Sequence, residues 1–165
     1  GKTVLDTCGG LGYFAACCLD AGVAQIRSFE KNPDVLWLRT LNPWSPDPDD
    51  PASGGRLQLQ HADISEAITR IADASVDAVL HDPPRFGIAG ELYSQVFYDH
   101  LARVIRKGGR LFHYTAYDLM LDHLSLMSKA WKINPNLDLP YINHSQFSRR
   151  SLTEELAKVV KGLLA

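Results

Sequence analysis

The chain has 165 residues, 45% hydrophobic and 22% charged, which suits one domain with a sizeable core. Its formal net charge of −2 removes any global electrostatic case for nucleic-acid binding, although a local basic face can still do that work. No apolar run approaches the roughly 20 residues that span a bilayer, and no signal-peptide pattern opens the chain, so no membrane partner and a cytoplasmic location are expected. Cys8, Cys17 and Cys18 are odd in number and lack metal-ligand spacing, so they read as reduced thiols with no metal site. The first residues already have the character of a buried strand, and a segment upstream of them is expected.

In chain order, residues 3–7 read as a strand that runs into a loop with three glycines in four positions, Gly9, Gly10 and Gly12. Such a loop lets the backbone approach a ligand without a Cβ in the way. A helix over about 12–21 follows, and its first N–H groups face the same space. A second strand, Gln25 to Glu30, ends in an acid, and Asn32-Pro33 then starts a helix that fades near Leu41. Residues 42–55 hold four of the nine prolines and predict a long irregular surface loop, with some mobility. A third strand carries Leu57 and Leu59 to His61-Ala62-Asp63, and a helix over about 64–72 follows, with Asp63 and Glu66 at capping-box spacing.

The fourth strand, Val76 to His81, is cut off by Asp82-Pro83-Pro84. The strongest helix is expected from Gly90 to about Arg106, with Leu92, Tyr93, Val96, Phe97, Leu101, Val104 and Ile105 on one side and Lys107-Gly108-Gly109 as its end. A fifth strand spans Arg110 to Thr115. Helices over about 117–131 and 152–164 enclose an irregular stretch at 132–150. Strands alternating with helices predict an α/β fold, a doubly wound and mostly parallel sheet in a single domain over 1–165 with its core at 3–115. Ligands of such sheets bind at the carboxyl ends of the strands, the rim that would gather the glycine loop, Glu30, Asp63 and Asp82.

Asp6-Thr7-Cys8-Gly9-Gly10-Leu11-Gly12 resembles the first motif of class I S-adenosylmethionine-dependent methyltransferases, with Cys8 replacing the first glycine of the common pattern. The runs DTCGGLGYFA, FEKNPDVLWL, NPWS, HDPPRFGIAGELYS and RVIRKGGRLFHY are more narrowly similar to an archaeal-type methyltransferase group. The resemblance implies a Rossmann-like methyltransferase fold with S-adenosylmethionine as cofactor. It places Asp6, Cys8, Gly10, Gly12, Glu30, Lys31, Asp63 and His81 on that cofactor, Glu30 at the ribose and Asp63 at the adenine. It sets Asp82, Pro83 and Arg85 at the transfer step, like the acid-Pro-Pro motif of amino-methyltransferases. The antiparallel hairpin that usually completes the family's sheet has no clear counterpart beyond residue 115.

Each motif also has a plainer reading. Gly10 to Ala15 satisfies the G-x-G-x-x-A form of nicotinamide-binding folds, Asp63 is a ready helix cap, and Cys17 and Cys18 suit a helix core. Trp37, Trp44 and Trp131 read as core or loop packing. Arg103, Arg106, Lys107, Arg110, Arg149 and Arg150 read as solvated charge or as phosphate contacts, and His113 and Tyr114 as substrate-facing residues. The leading expectation is methyl transfer to an RNA amine or a small molecule. The rivals are an aminopropyltransferase using the decarboxylated cofactor and a non-catalytic binding domain, with a homodimer left open.

Overall fold

The computed structural model of the protein describes residues 1–114. Five parallel strands form one sheet in the order β3-β2-β1-β4-β5, with β1 at Thr3–Asp6, β2 at Gln25–Glu30, β3 at Leu57–His61, β4 at Val76–His81 and β5 at Ile105–His113. The order reverses beside β1, so the carboxyl ends of β1 and β4 diverge there into a crevice. This is the doubly wound α/β sheet that the alternation of elements predicts.

Side-chain alternation along the strands divides the core in two. Val4, Ile26, Leu57 and Ala78 pack with Ala15 and Cys18 of helix α1 (Tyr13–Asp20). Leu5, Phe29, Val79 and Leu111 face the other way, toward α3 (Ile64–Ala67) and α5 (Gln95–Val104). At ~25 cal/mol per Å² of apolar surface, burying strands on both faces is the main source of stability for such a sheet.

Several boundaries differ from expectation, each for a local reason. Helix α2 (Pro33–Leu41) starts as foreseen, with the Asn32 side chain accepting from the Asp34 amide at 2.9 Å. The helix after β3 is short, and a tight 3-10 turn at Ile68–Arg70 continues it. The segment expected as one helix from Gly90 is three pieces: α4 (Phe86–Ala89), a 3-10 turn at Gly90–Tyr93, and α5. Ser94 makes the break, because its extended backbone and its Oγ, which accepts from the Phe97 amide at 3.2 Å, form a helix cap. Val96, expected on the apolar stripe, therefore points outward and is 67% exposed.

Lys107-Gly108-Gly109 does not end that helix either. It lies inside β5 as a bulge: β4 advances from Val76 to Ala78 while its partner advances from Ile105 to Arg110. Gly108 has φ +74, and a Cβ on Gly109 would lie 2.4 Å from Ile105 Cγ2, so both positions require glycine.

The proline-rich loop at 42–55 contains a 3-10 turn, Pro51–Ser53, and is tied to the first loop. The Ser45 hydroxyl donates to Leu11 O at 2.6 Å, and Asn42 Nδ2 donates to the Tyr13 hydroxyl at 3.0 Å. Trp37 and Trp44, expected to pack, are 60% and 74% exposed. The helices expected at 117–131 and 152–164, the stretch at 132–150, the hairpin question, Trp131, Arg149 and Arg150 lie outside the described residues.

Candidate functional site

The glycine loop leaves β1 through the buried Asp6 and Thr7. Gly10 and Gly12 take φ +49 and +82, a left-handed geometry that favours glycine. Gly9 is required for a different reason: a Cβ there would stand 2.3 Å from Ser28 Oγ. The loop is held from both sides. Glu30 Oε2 accepts from the Gly10 amide at 3.0 Å, and Oε1 accepts from the Asn32 amide at 2.8 Å. From α2 comes Arg39, a buried cation whose Nη1 donates to Gly10 O at 2.9 Å and to Gly9 O at 3.5 Å. Arg39 had no signal in the sequence, because its partners lie 29 and 30 positions away.

Replacing Arg39 with Leu strands those carbonyls, a loss of about 1–3 kcal/mol. Melting should fall by roughly 2–10 °C, and affinity for S-adenosylhomocysteine should fall with it. An unchanged melting temperature would remove Arg39 from its place as the anchor of the loop.

Beside this loop an open cavity lies at the carboxyl ends of β1, β2 and β3. Cys8, Glu30, Lys31 and Asp63 line it, together with Phe29 and Ile64, which give it apolar walls. Thr7, Ala62, Pro84, Ala89 and Leu92 complete it. Of the residues expected on the cofactor, four thus meet in one cavity, while Gly10 and Gly12 shape the loop beside it. Phe29 and Leu92 were legible only as core.

Asp63 caps a helix, its plainer reading, and also lines the cavity. Its Oδ1 accepts from the Ser65 amide at 2.9 Å and caps α3, while Oδ2 accepts from Lys31 Nζ at 3.2 Å. Burial opposes the Asp63 charge, but the Ser65 and Lys31 bonds outweigh it and lower its pKa. The same pairing with Asp63 raises the Lys31 pKa, and Lys31 Nζ also reaches Glu91 Oε1 at 3.4 Å. Burial pushes the Cys8 thiol up to about 12, so it stays protonated and unreactive.

His81 departs from the expected list. Its side chain is fully buried, with Nδ1 2.9 Å from Thr7 Oγ1 and Nε2 3.1 Å from Leu92 O. A carbonyl can only accept, so Nε2 carries a proton and the ring bridges two walls of the cavity from behind. It lies in the core rather than on the cavity surface.

Asp6 lies beneath the loop rather than in the cavity. Its Oδ2 accepts from Ser28 Oγ at 2.8 Å, while buried Oδ1 has no partner. Burial pushes its pKa up to about 7; Asp82 adds to the rise, and Ser28, Arg39 and the Cys8 amide oppose it. An unpartnered buried acceptor beside a glycine cradle fits a cofactor that carries an ammonium group. Asp82 opens to solvent at the end of β4 yet is hemmed in by protein, and this loss of hydration pushes its pKa up to about 6. Pro83 is buried, and Arg85 is exposed just ahead of α4.

Two of the basic residues expected at phosphates, Arg103 and Arg106, are committed elsewhere. Arg103 bonds Ile68 O, Ile71 O and Asp73, while Arg106 pairs with Asp77 at 3.1 Å. Both sit near the amino ends of the strands, across the sheet from the cavity. His113 ends β5 half-buried, with Nε2 2.6 Å from the Tyr98 hydroxyl and its ring 4.7 Å from that of His81.

Sheet order, left-handed glycine loop and strand-end carboxylate together define a nucleotide-cofactor-binding α/β domain. More narrowly, the chain belongs to an S-adenosyl-L-methionine-dependent methyltransferase family, whose model matches residues 49–133. Over 114 residues it is 46% identical to an uncharacterised protein of Methanocaldococcus jannaschii, covering 69% of this chain and 38% of that protein's length. Among solved structures, a spermidine synthase in complex with the transition-state analogue AdoDATO aligns with a TM-score of 0.65 at 19% identity, over 80% of this chain and 45% of its own. A methyltransferase complexed with the Haloferax volcanii Trm112 activator aligns with a TM-score of 0.54 at 18% identity, over 97% and 60%. At such identities these two likenesses establish the fold alone.

Proposed function

We propose that this chain carries the cofactor cavity and the transfer turn of a cytoplasmic methyltransferase acting on an amine nitrogen, in RNA or in a small molecule. The observation that carries this reading is the meeting, at one sheet edge, of the loop-bound Glu30, the cavity beside it and the Asp82-Pro83-Pro84 turn. S-Adenosylmethionine, when bound, supplies a methyl group already activated by its sulfonium centre.

The chain's own residues then have three tasks. Glu30 spends one lone pair of each oxygen on an amide and keeps others for the two ribose hydroxyls. Phe29, Ile64 and Leu92 enclose the adenine and exclude water, with Lys31 and Asp63 at the entrance. Asp82 accepts a hydrogen bond from the acceptor amine, aims its lone pair and takes up the proton that the nitrogen sheds. Carbonyl oxygens of the turn help to orient the same amine, and Arg85, exposed next to the turn, offers a cation for a phosphate or carboxylate of the acceptor.

Aminopropyl transfer is disfavoured by the surrounding charge. A polyamine acceptor calls for several free carboxylates, yet Asp63 and Glu91 are both paired with Lys31. Calorimetry with S-adenosylhomocysteine is expected to show binding that Glu30→Ala weakens at least roughly tenfold, the loss of hydrogen bonds to a charged group. No binding by the wild-type chain would overturn the cofactor assignment.

A further inference from the structure

Three successive residues of the 3-10 turn that precedes α5 each reach a different part of the site. The Glu91 carboxylate accepts from Lys31 at the cavity entrance, at 3.4 Å. The Leu92 carbonyl accepts from His81, whose other nitrogen meets Thr7 of the glycine loop, and the Leu92 side chain lines the cavity. The Tyr93 hydroxyl donates to Pro84 O at 2.7 Å and lies 3.4 Å from Pro83 O. One short segment thus touches the second strand's loop and the acid-Pro-Pro turn directly, and reaches the glycine loop through His81.

We propose that Tyr93 is the positioning residue of the transfer site, fixing the Asp82-Pro83-Pro84 turn relative to the cofactor cavity. This deepens the methyl-transfer reading and rests on it. The side chain is 5% exposed, and its ring packs against Phe86, with centroids 5.7 Å apart, so the phenol has little freedom to leave the turn. Prolines supply no amide protons, so this turn cannot hold itself by backbone bonds at those two residues and needs a donor from elsewhere. Tyr93 is that donor. By binding chiefly Pro84 O it sets the tilt of the adjoining peptides, and with them the direction of the Pro83 carbonyl and of Asp82. Glu91 and Leu92 tie the same segment to the cofactor side, so acceptor and cofactor are aligned by one element. A misalignment of even about 1 Å at such a site can reduce the rate roughly 100-fold.

The test is Tyr93→Phe, which keeps the ring and removes only the donor. Three quantities are measured: melting temperature, the S-adenosylhomocysteine dissociation constant, and transfer of labelled methyl from S-adenosylmethionine into fractionated cell extract. Transfer is expected to fall at least roughly tenfold, with affinity within about twofold and melting within a few degrees. Unchanged transfer would overturn the proposal, and so would an equal loss of affinity, which would make Tyr93 part of the cofactor wall instead. If the wild-type chain transfers no label, the methyl-transfer reading fails by itself. Hydrogen exchange then decides the positioning claim: amides of Arg85 to Ala89 should exchange faster in Tyr93→Phe while those of β1 do not change, and equal exchange would refute it.

Discussion

Asp82→Asn is expected to lower methyl transfer at least roughly 100-fold while leaving affinity for S-adenosylhomocysteine within about twofold. The substitution keeps size and one acceptor oxygen but removes the basic site for the departing proton. The pH profile carries the finer distinction. Hemmed in by protein, the Asp82 carboxyl has its pKa raised from 3.8 to about 6, so the active carboxylate form is depleted as pH falls below that value. Wild-type transfer should therefore rise with pH through about 6 and then level off. Asp6 titrates nearby, from a value raised to about 7 by burial and in smaller part by the Asp82 charge. In Asp82→Asn the limb near pH 6 should disappear along with most of the activity. Labelled-methyl transfer measured from pH 5 to 8.5 checks both effects, and an Asn variant that retains the wild-type rate would end the role given to this acid.

What the sequence disclosed and what it concealed divide along the range of the interactions. The glycine loop, the strand-end acid Glu30, the Asn32 cap and the proline break after His81 are each coded within a few residues, and the structure bears them out. Arg39 grips a loop 29 residues earlier in the chain, and the Tyr93 hydroxyl reaches back to the Pro84 carbonyl across the intervening helix α4. A reading based on periodicity assigned both to helix interiors, because it sees only whether a position is apolar.

His81 differs in the opposite direction. The family resemblance places it on the cofactor, whereas it ends a strand buried on both faces, and Thr7 and the Leu92 carbonyl satisfy it there. The capping role of Ser94 leaves no trace in the apolar spacing, which continues across the break and cannot register an interruption of the backbone. The two glycines after Lys107 fit a helix terminus as well as a strand bulge, and the choice depends on β4, a strand thirty residues away.

Asp6→Asn should separate stability from binding, with opposite signs. The native pKa, raised to about 7, stands above the ordinary 3.8 that the unfolded chain would show. Between those values the folded protein holds a proton that the unfolded chain has released, so stability falls as pH rises through that window and stays at its lower level above it. Asparagine does not ionise. The variant should therefore melt several degrees above the wild type at pH 8, by a gap that closes as pH approaches 4. Binding should move the other way. Oδ1 is a buried acceptor without a partner, and the ammonium group of S-adenosylhomocysteine is the kind of donor that would hold Asp6 ionised. The variant should bind that ligand at least roughly tenfold more weakly, and wild-type affinity should decline below pH 7 while the variant's stays flat. Thermal melts from pH 4 to 8 and calorimetry across the same range read both quantities. A variant that melts below the wild type at pH 8 would mean that Arg39 stabilises the Asp6 charge more than burial destabilises it. A carboxylate that weakens the fold until a cation arrives is understandable at a ligand site and difficult to justify in a core built only for stability, since Ser28 alone would satisfy an uncharged residue there.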